Sequence, residues 1–259
     1  MELSLLKKPL IAAHRGFRAN YPENTRVAFE AAVKAGAHML EMDVTFTRDK
    51  ELVIIHDATV DRTTNGTGPV SSFSLKELKQ LDAGRWFDSR FTGEQIPTLL
   101  EVLDEIDTEK ILLNIEIKPV DFSTQGSAGD IERDLVHVIK KRNLIPSVLI
   151  TSFDTGILKS IRRLDRRIPI GLNSKFSEGE DTVKLCKKLD VFSYHPNLAY
   201  LNVELIEMLH KSGICVMPYN IETSMEIQQL QKCGADGMCV EDPKMAAECL
   251  MRFVQNRVV

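Results

Sequence analysis

Two stretches decide the fold: residues 39–46 read MLEMDVTF and residues 111–118 read ILLNIEIK. Each is short and apolar at neighbouring positions, which is expected of a strand covered on both faces; a strand half in water alternates strictly. Working outward, further Val/Ile/Leu-rich runs stand at 10–14, 148–153, 168–172, 191–194, 214–217 and 237–240. Amphipathic patterns at 24–35, 131–142, 157–164, 182–189, 203–211 and 224–232 fall between them. Regular βα alternation is the signature of a parallel sheet with helices outside. Eight units in 259 residues match the length of a closed (β/α)8 TIM barrel of about 250 residues. The expected fold class is therefore α/β, in one domain covering residues 1–259.

One segment breaks the rhythm. Between residues 57 and 97 lie the turn pairs Asn65-Gly66 and Gly68-Pro69, a short helical pattern at 74–81 and the only tryptophan, Trp86. This reads as an insertion after the second βα region. It is preceded by a return strand at 51–56 that runs back through the Arg48-Asp49-Lys50 turn. Small and polar residues at 121–130 predict a mobile loop at the mouth.

Composition narrows the function. At 43% hydrophobic and 27% charged, the chain has enough apolar residues for a core, which excludes disordered and collagen-like classes. A net charge of −4 with a sequence pI near 5.9 argues against a nucleic-acid or anionic-membrane partner. The five cysteines show no C-x-x-C pairing and read as buried thiols rather than a disulfide framework. No apolar run approaches a membrane span, and residues 1–9 lack the apolar core of a signal peptide, so a cytoplasmic location is expected.

In a parallel barrel the active site lies at the C-terminal ends of the strands. Three expected strands carry polar residues there: His14-Arg15-Gly16, Glu41-Met42-Asp43 and Glu116-Ile117-Lys118, with His56-Asp57 closing the return strand. Glu41 and Asp43 are two apart, so both point inward if Met42 faces the helices. With Glu116 beside them, three carboxylates would repel one another unless a cation neutralises them. Oxygen ligation suits one hard divalent ion, Mg2+ or Ca2+; the alternative is that these acids only pair with Arg15 and Lys118. His14 and His56 can move a proton in either direction, and Arg15 and Lys118 supply the fixed charge a phosphate needs. His195 stands at the correct end of the barrel to line the pocket, whereas His38, His137 and His210 read as structural.

Seven motifs, in order, resemble those of the glycerophosphodiester phosphodiesterases. They are His14-Arg15-Gly16, Pro22-Glu23-Asn24-Thr25 with Ala28-Phe29, Glu41-Met42-Asp43-Val44, His56-Asp57, Asp61-Arg62-Thr63-Thr64 with Gly66 and Gly68, Ile96-Pro97-Thr98-Leu99, and Asn114-Ile115-Glu116-Ile117-Lys118. The resemblance implies that His14 and His56 are the general acid and base, that Glu41, Asp43 and Glu116 bind a divalent ion, and that Arg15 and Lys118 hold the phosphate. It also implies that the insertion helps cover the glycerol end of a small glycerophosphodiester substrate. Two places depart from the pattern. Met217-Pro218-Tyr219-Asn220 stands where a tryptophan is usual, with Tyr219 expected as a substitute wall of the substrate site. Glu241-Asp242-Pro243 stands where the family has Thr-Asp, and the extra carboxylate is expected to repel anionic head groups.

Rival readings share the barrel. A related phospholipase, D-type on lysolipids or C-type on phosphoinositides, would use the same histidines but needs an apolar rim, for which Trp86, Phe87 and Phe91 are the candidates. A non-catalytic binding barrel has no reason to keep so costly a charge cluster. A Schiff-base enzyme needs a desolvated lysine, and Lys118 sits among carboxylates that keep it charged.

Overall fold

The structure is a computed structural model that describes residues 9–118, 130–177 and 179–255. Eight strands pair in parallel in the order β8 (Cys215–Val216), β7 (Ser193–Pro196), β6 (Ile170–Ser174), β5 (Val148–Ser152), β4 (Leu112–Ile117), β2 (Met39–Phe46), β1 (Leu10–Ala13) and β9 (Gly237–Val240). Backbone bonds from Asp236 N to Val216 O (2.9 Å) and from Cys239 N to Pro218 O (2.8 Å) join the two ends, so the sheet curls into a nearly closed barrel. β3 (Leu52–Ile54) is the expected return strand and pairs antiparallel with the end of β2.

Helices α1 (Arg26–Lys34), α3 (Leu99–Glu105), α4 (Asp130–Lys141), α5 (Thr155–Leu164), α6 (Glu180–Leu189), α7 (Val203–His210), α8 (Ser224–Cys233) and α9 (Pro243–Gln255) follow the parallel strands, and α2 (Leu75–Leu78) lies between β3 and α3. Several starts are written in the sequence. Thr98 and Thr223 each accept a bond from the backbone three residues on, while Glu101 and Glu226 reach back to the cap, closing reciprocal capping boxes. No described helix is long and apolar enough to cross a membrane. The loop expected at 121–130 lies outside the described residues except for Asp130, the first residue of α4.

Two strands begin two residues later than the apolar runs suggest. β7 starts at Ser193 rather than Val191, because Val191 still closes the end of α6, its N–H bonding Cys186 O at 3.2 Å behind a left-handed Asp190. β6 likewise starts at Ile170 rather than Ile168. His195 therefore lies within a strand, not after one.

Alternation along each strand separates two cores. Leu40, Met42 and Val44 of β2 and Leu113, Ile115 and Ile117 of β4 face the helices in the main cluster. The opposite parity puts Leu10, Ala12, Met39, Leu112, Leu149, Met217 and Cys239 together inside the barrel, where they fill its floor. Burying a Leu or Met side chain in this way contributes roughly 1.5–3 kcal/mol. The inserted residues 57–97 add no strand to the barrel and pack their own small core of Val60, Val70, Leu78, Ala83 and Ile96 against Val53 and Ile55.

Candidate active site

The parity that builds the floor continues into the mouth. Above Met39 on β2 come Glu41 and Asp43, above Leu112 on β4 come Asn114 and Glu116, and Glu241 follows Cys239 just past the end of β9. Glu41, Asp43 and Glu116 are all buried, and each offers an oxygen within 4.8 Å of the others, an arrangement that could hold a metal ion. A cavity of about 610 Å³ opens above them, lined by His14, Arg15, Glu41, His56, Glu116, Lys118, His195 and Tyr219, with Asp43 buried beside Glu41 and Glu116 just behind that lining. The structure thus brings together every side chain the sequence singles out for the site.

Charge in this mouth does not balance. Lys118 Nζ lies 2.5 Å from Glu116 Oε1 and 3.0 Å from Asp43 Oδ1, and Arg15 Nε lies 3.2 Å from Asp43 Oδ2. The acids do pair with Arg15 and Lys118, but two cations face three carboxylates, and Arg15 NH1 is also committed to Glu23 Oε1 at 2.7 Å. Burial pushes the Asp43 carboxyl up, yet Lys118 and Arg15 outweigh it and hold that group well below the usual range. Glu41 has no such relief: burial, then Asp43 and Glu116, drive its pKa far up. Burial and Asp43 also push Glu116 up to about 7. Asp43 Oδ1 has Lys118 nearby but no aligned hydrogen-bond donor. An orphaned buried carboxylate oxygen beside two acids forced toward protonation is the electrostatic signature of a cation-binding donor set.

The histidines sit in matching settings. His14 Nδ1 is 2.7 Å from Glu241 Oε1, and His56 Nδ1 is 2.6 Å from Asp57 Oδ1. Arg62 binds both Asp57 oxygens and both Glu23 oxygens at 2.7–3.1 Å, so Glu23 ties the Arg15 and Arg62 guanidiniums together. Burial holds both imidazoles below the ordinary histidine value, against the pull of their carboxylate partners. His195 is buried, 2.8 Å from Ser193 Oγ, and burial drives it down to about 3, so it lines the cavity as a neutral ring. Gly171 leaves the space for that pair, since a Cβ there would stand 2.8 Å from both His195 Nε2 and Ser193 Oγ. His38 accepts from Ile11 N, His210 faces Asp236 and His137 sits on the outer face of α4, all three outside the cavity lining.

A tight corner presents His14. Arg15 and Asn24 both adopt positive φ, 54° and 57°, and Asn24 N bonds Arg15 O at 2.9 Å. The Arg15 N–H then donates to Glu41 Oε2 (2.8 Å) and Asn24 Nδ2 to Asp43 Oδ2 (2.8 Å). Gly16, at φ 83°, passes Ala28 so closely that a Cβ would lie 2.7 Å from its carbonyl carbon. The left-handed corner is thus what aims two acids' partners into the barrel.

The residue reading gave no role to Glu23, Asn24, Asp57, Arg62 or Asn173, whose Nδ2 donates to Glu116 Oε2 at 3.0 Å. Glu241, expected to repel anions, instead directs its charge at His14 and at Arg18 Nε, 2.8 Å away. The period-two parity from Gly237 through Cys239 was the signal that places it inside. The candidate apolar rim also shifts. Trp86, Phe87 and Phe91 meet edge-on in a ladder that Tyr21 extends at a tilt, and no residue from 57 to 97 lines the cavity; its aromatic side is Phe153, Phe176, Tyr200 and Tyr219. Tyr219 is a wall as expected, its ring 5.9 Å from Phe153 and its hydroxyl donating to Ser174 O.

Residues 14–245 match the model of the glycerophosphoryl diester phosphodiesterase family. A glycerophosphodiester phosphodiesterase of Caldanaerobacter subterraneus subsp. tengcongensis is 39% identical over 237 residues, 92% of this chain and 96% of that protein. One from Bacillus altitudinis is 32% identical over 241 residues, 92% and 96% of the two chains. Among solved structures, an Oleispira antarctica phosphodiesterase in complex with the product sn-glycerol-3-phosphate superposes with a TM-score of 0.87 at 29% identity, covering 93% of this chain and 96% of that one.

Proposed function

Because the chain belongs to the glycerophosphoryl diester phosphodiesterase family, we propose that it hydrolyses glycerophosphodiesters to sn-glycerol 3-phosphate and an alcohol, with a divalent cation and the His14/His56 pair. One observation carries this reading: two carboxylate-paired imidazoles, two fixed cations and two of three clustered acids, with Asp43 buried behind them, face a single cavity. A phosphodiester anion resists attack, so its site must neutralise charge, align a nucleophile and protonate a leaving alkoxide.

Glu41, Asp43 and Glu116 would hold the ion, Mg2+ or Ca2+, whose presence supplies Lewis-acid stabilisation of charge on the phosphoryl oxygens. Once those acids are neutralised, Lys118 and Arg15 are freed to meet phosphate oxygens, Arg15 held in place by Glu23. One of the two imidazoles takes the proton of the nucleophile through its unprotonated nitrogen, and the other gives a proton to the departing alcohol. Their depressed pKa values supply a neutral ring for the first task, and Glu241 and Asp57 stabilise the cationic ring each task needs. His195, neutral at working pH, and Tyr219 shape the substrate wall.

The test is a panel of glycerophosphodiesters incubated with the protein, with and without chelator, while glycerol 3-phosphate release is followed. Turnover that chelator abolishes and Mg2+ or Ca2+ restores is expected. No turnover of any member, or turnover indifferent to chelator, overturns the reading. A lysolipid-acting phospholipase is favoured by one observation, the exposed Phe176 (63%) and Tyr200 (47%) whose rings meet at the cavity rim. Faster turnover of lysophosphatidylcholine micelles than of glycerophosphocholine would select it.

A further inference from the structure

We propose that Glu241 is a positioning residue for His14: its carboxylate accepts the Nδ1 proton and so fixes the ring orientation and tautomer that leave Nε2 to meet substrate. The assignment rests on the proposed use of His14 in proton transfer. Strand register brings the pair together. Ala13 of β1 lies opposite Val240 of β9, His14 N bonds Val240 O at 3.0 Å, and the residues just past the two strand ends are His14 and Glu241. Side chains 227 positions apart in sequence are thereby neighbours, 2.7 Å from nitrogen to oxygen.

An ionised carboxylate can only accept, so a ring nitrogen at that distance carries the proton, and the neutral ring must then expose an unprotonated Nε2. Glu241 is well suited to stay ionised. Its other oxygen receives Arg18 Nε at 2.8 Å, and although burial pushes its carboxyl up, the bond to His14 and the charges of His14, Arg18 and Arg15 together outweigh this and hold it below the ordinary value. Arg18 NH1 also stands 3.3 Å from His14 Nδ1; an arginine cannot accept, so it leaves the carboxylate as sole partner for the Nδ1 proton. The same construction recurs independently at the other imidazole. There His56 Nδ1 faces Asp57, and Arg62 clamps the second oxygen of that acid. Two histidines from different strands, each backed by a carboxylate that is itself backed by an arginine, is a design for holding rings, and Glu241 supplies half of it.

The test compares Glu241→Ala and Glu241→Gln with the wild-type protein by steady-state kinetics on a glycerophosphodiester and by long-range 1H–15N spectra of the histidine rings. The His14 signals are identified by their loss in His14→Ala. In Glu241→Ala, kcat should fall by roughly 10- to 100-fold with KM within about threefold, and the His14 ring should lose its Nδ1–H tautomer. Glutamine can still accept the proton through its carbonyl oxygen, so Glu241→Gln should keep the tautomer and recover part of kcat; it also carries the test if the alanine variant does not fold. Adding Glu241→Ala to His14→Ala should cost nothing further. An unchanged His14 tautomer or unchanged kcat in Glu241→Ala, or an equal loss in the His14→Ala background, overturns the assignment. If the wild-type protein turns over no glycerophosphodiester, the proposed function falls, while the ring-nitrogen spectra still decide the role of Glu241.

Discussion

The floor and the mouth of the barrel interior are made by the same strands at the same parity, yet they solve opposite problems. Met39 and Leu112 on the floor are succeeded two and four residues later by Glu41, Asp43, Asn114 and Glu116 at the mouth. The floor is apolar and buried, each of its side chains meeting others. The mouth concentrates three acids against two cations and leaves Asp43 Oδ1 with Lys118 near it but no aligned donor. A single rule of strand geometry thus delivers a stabilising plug at one end and stored electrostatic tension at the other, and the difference assigns stability to one layer and chemistry to the next.

The comparison breaks if changes at the mouth unfold the protein or changes at the floor abolish activity. The largest expected effect is on turnover. His14→Ala or His56→Ala should lower kcat/KM on a glycerophosphodiester by roughly 10²- to 10⁴-fold with Tm within a few degrees of wild type. Next, Leu112→Ala or Leu149→Ala on the floor should cost about 2–5 kcal/mol in urea unfolding while leaving KM within about twofold.

A pH experiment sharpens the contrast. His195 is held down to about 3 by burial and regains 6.5 on unfolding, so the unfolded chain takes up a proton that the folded chain refuses. Stability should therefore fall as pH drops below 6.5, by an amount on the order of a few kcal/mol, and His195→Asn should flatten that limb of the stability curve.

The smallest effect expected is in metal affinity. Glu116, raised to about 7 when no ion is bound, must lose its proton to become a ligand. Binding of Mg2+ or Ca2+ followed by calorimetry should weaken by at least about tenfold for each pH unit below 7 and keep strengthening above it, because Glu41 is raised as well and must also lose its proton. The linked stability has the opposite sign to that of His195. The folded chain holds this proton up to about pH 7 whereas an ordinary glutamate releases it near 4.5, so that contribution is present at low pH and is lost as pH rises through 7. An affinity that does not change between pH 5.5 and 8 would show that these carboxylates are not the ligands.

Much of this was legible from residue order because period two is a local property. MLEMDVTF and ILLNIEIK tell which side chains share a face, and Glu41, Asp43 and Glu116 converge as that parity requires. Their place at strand ends pointed to His14 and His56, and the family motifs implied the acid and base roles. Other features depend on closure and on corners, which no short window contains. The pairing of His14 with Glu241 needs β1 and β9 to be adjacent. The Glu23 bridge between Arg15 and Arg62 needs the left-handed turns at Arg15 and Asn24. The start of β7 depends on how α6 ends, so Val191 and Phe192 look like strand in composition while Val191 completes a helix terminus.

The aromatic ladder of the insertion has a practical consequence. The chain has one tryptophan, and Trp86 lies in that accessory lobe, its indole donating to Ala83 O and meeting Phe87 edge-on. Intrinsic fluorescence is therefore a built-in reporter of this appendage and far-UV circular dichroism mainly of the barrel. Because His56 follows the return strand, whose Val53 and the adjoining Ile55 pack in the core of the lobe, an emission change that precedes the dichroism transition would mark the point at which one of the two imidazoles loses its support while the barrel still stands.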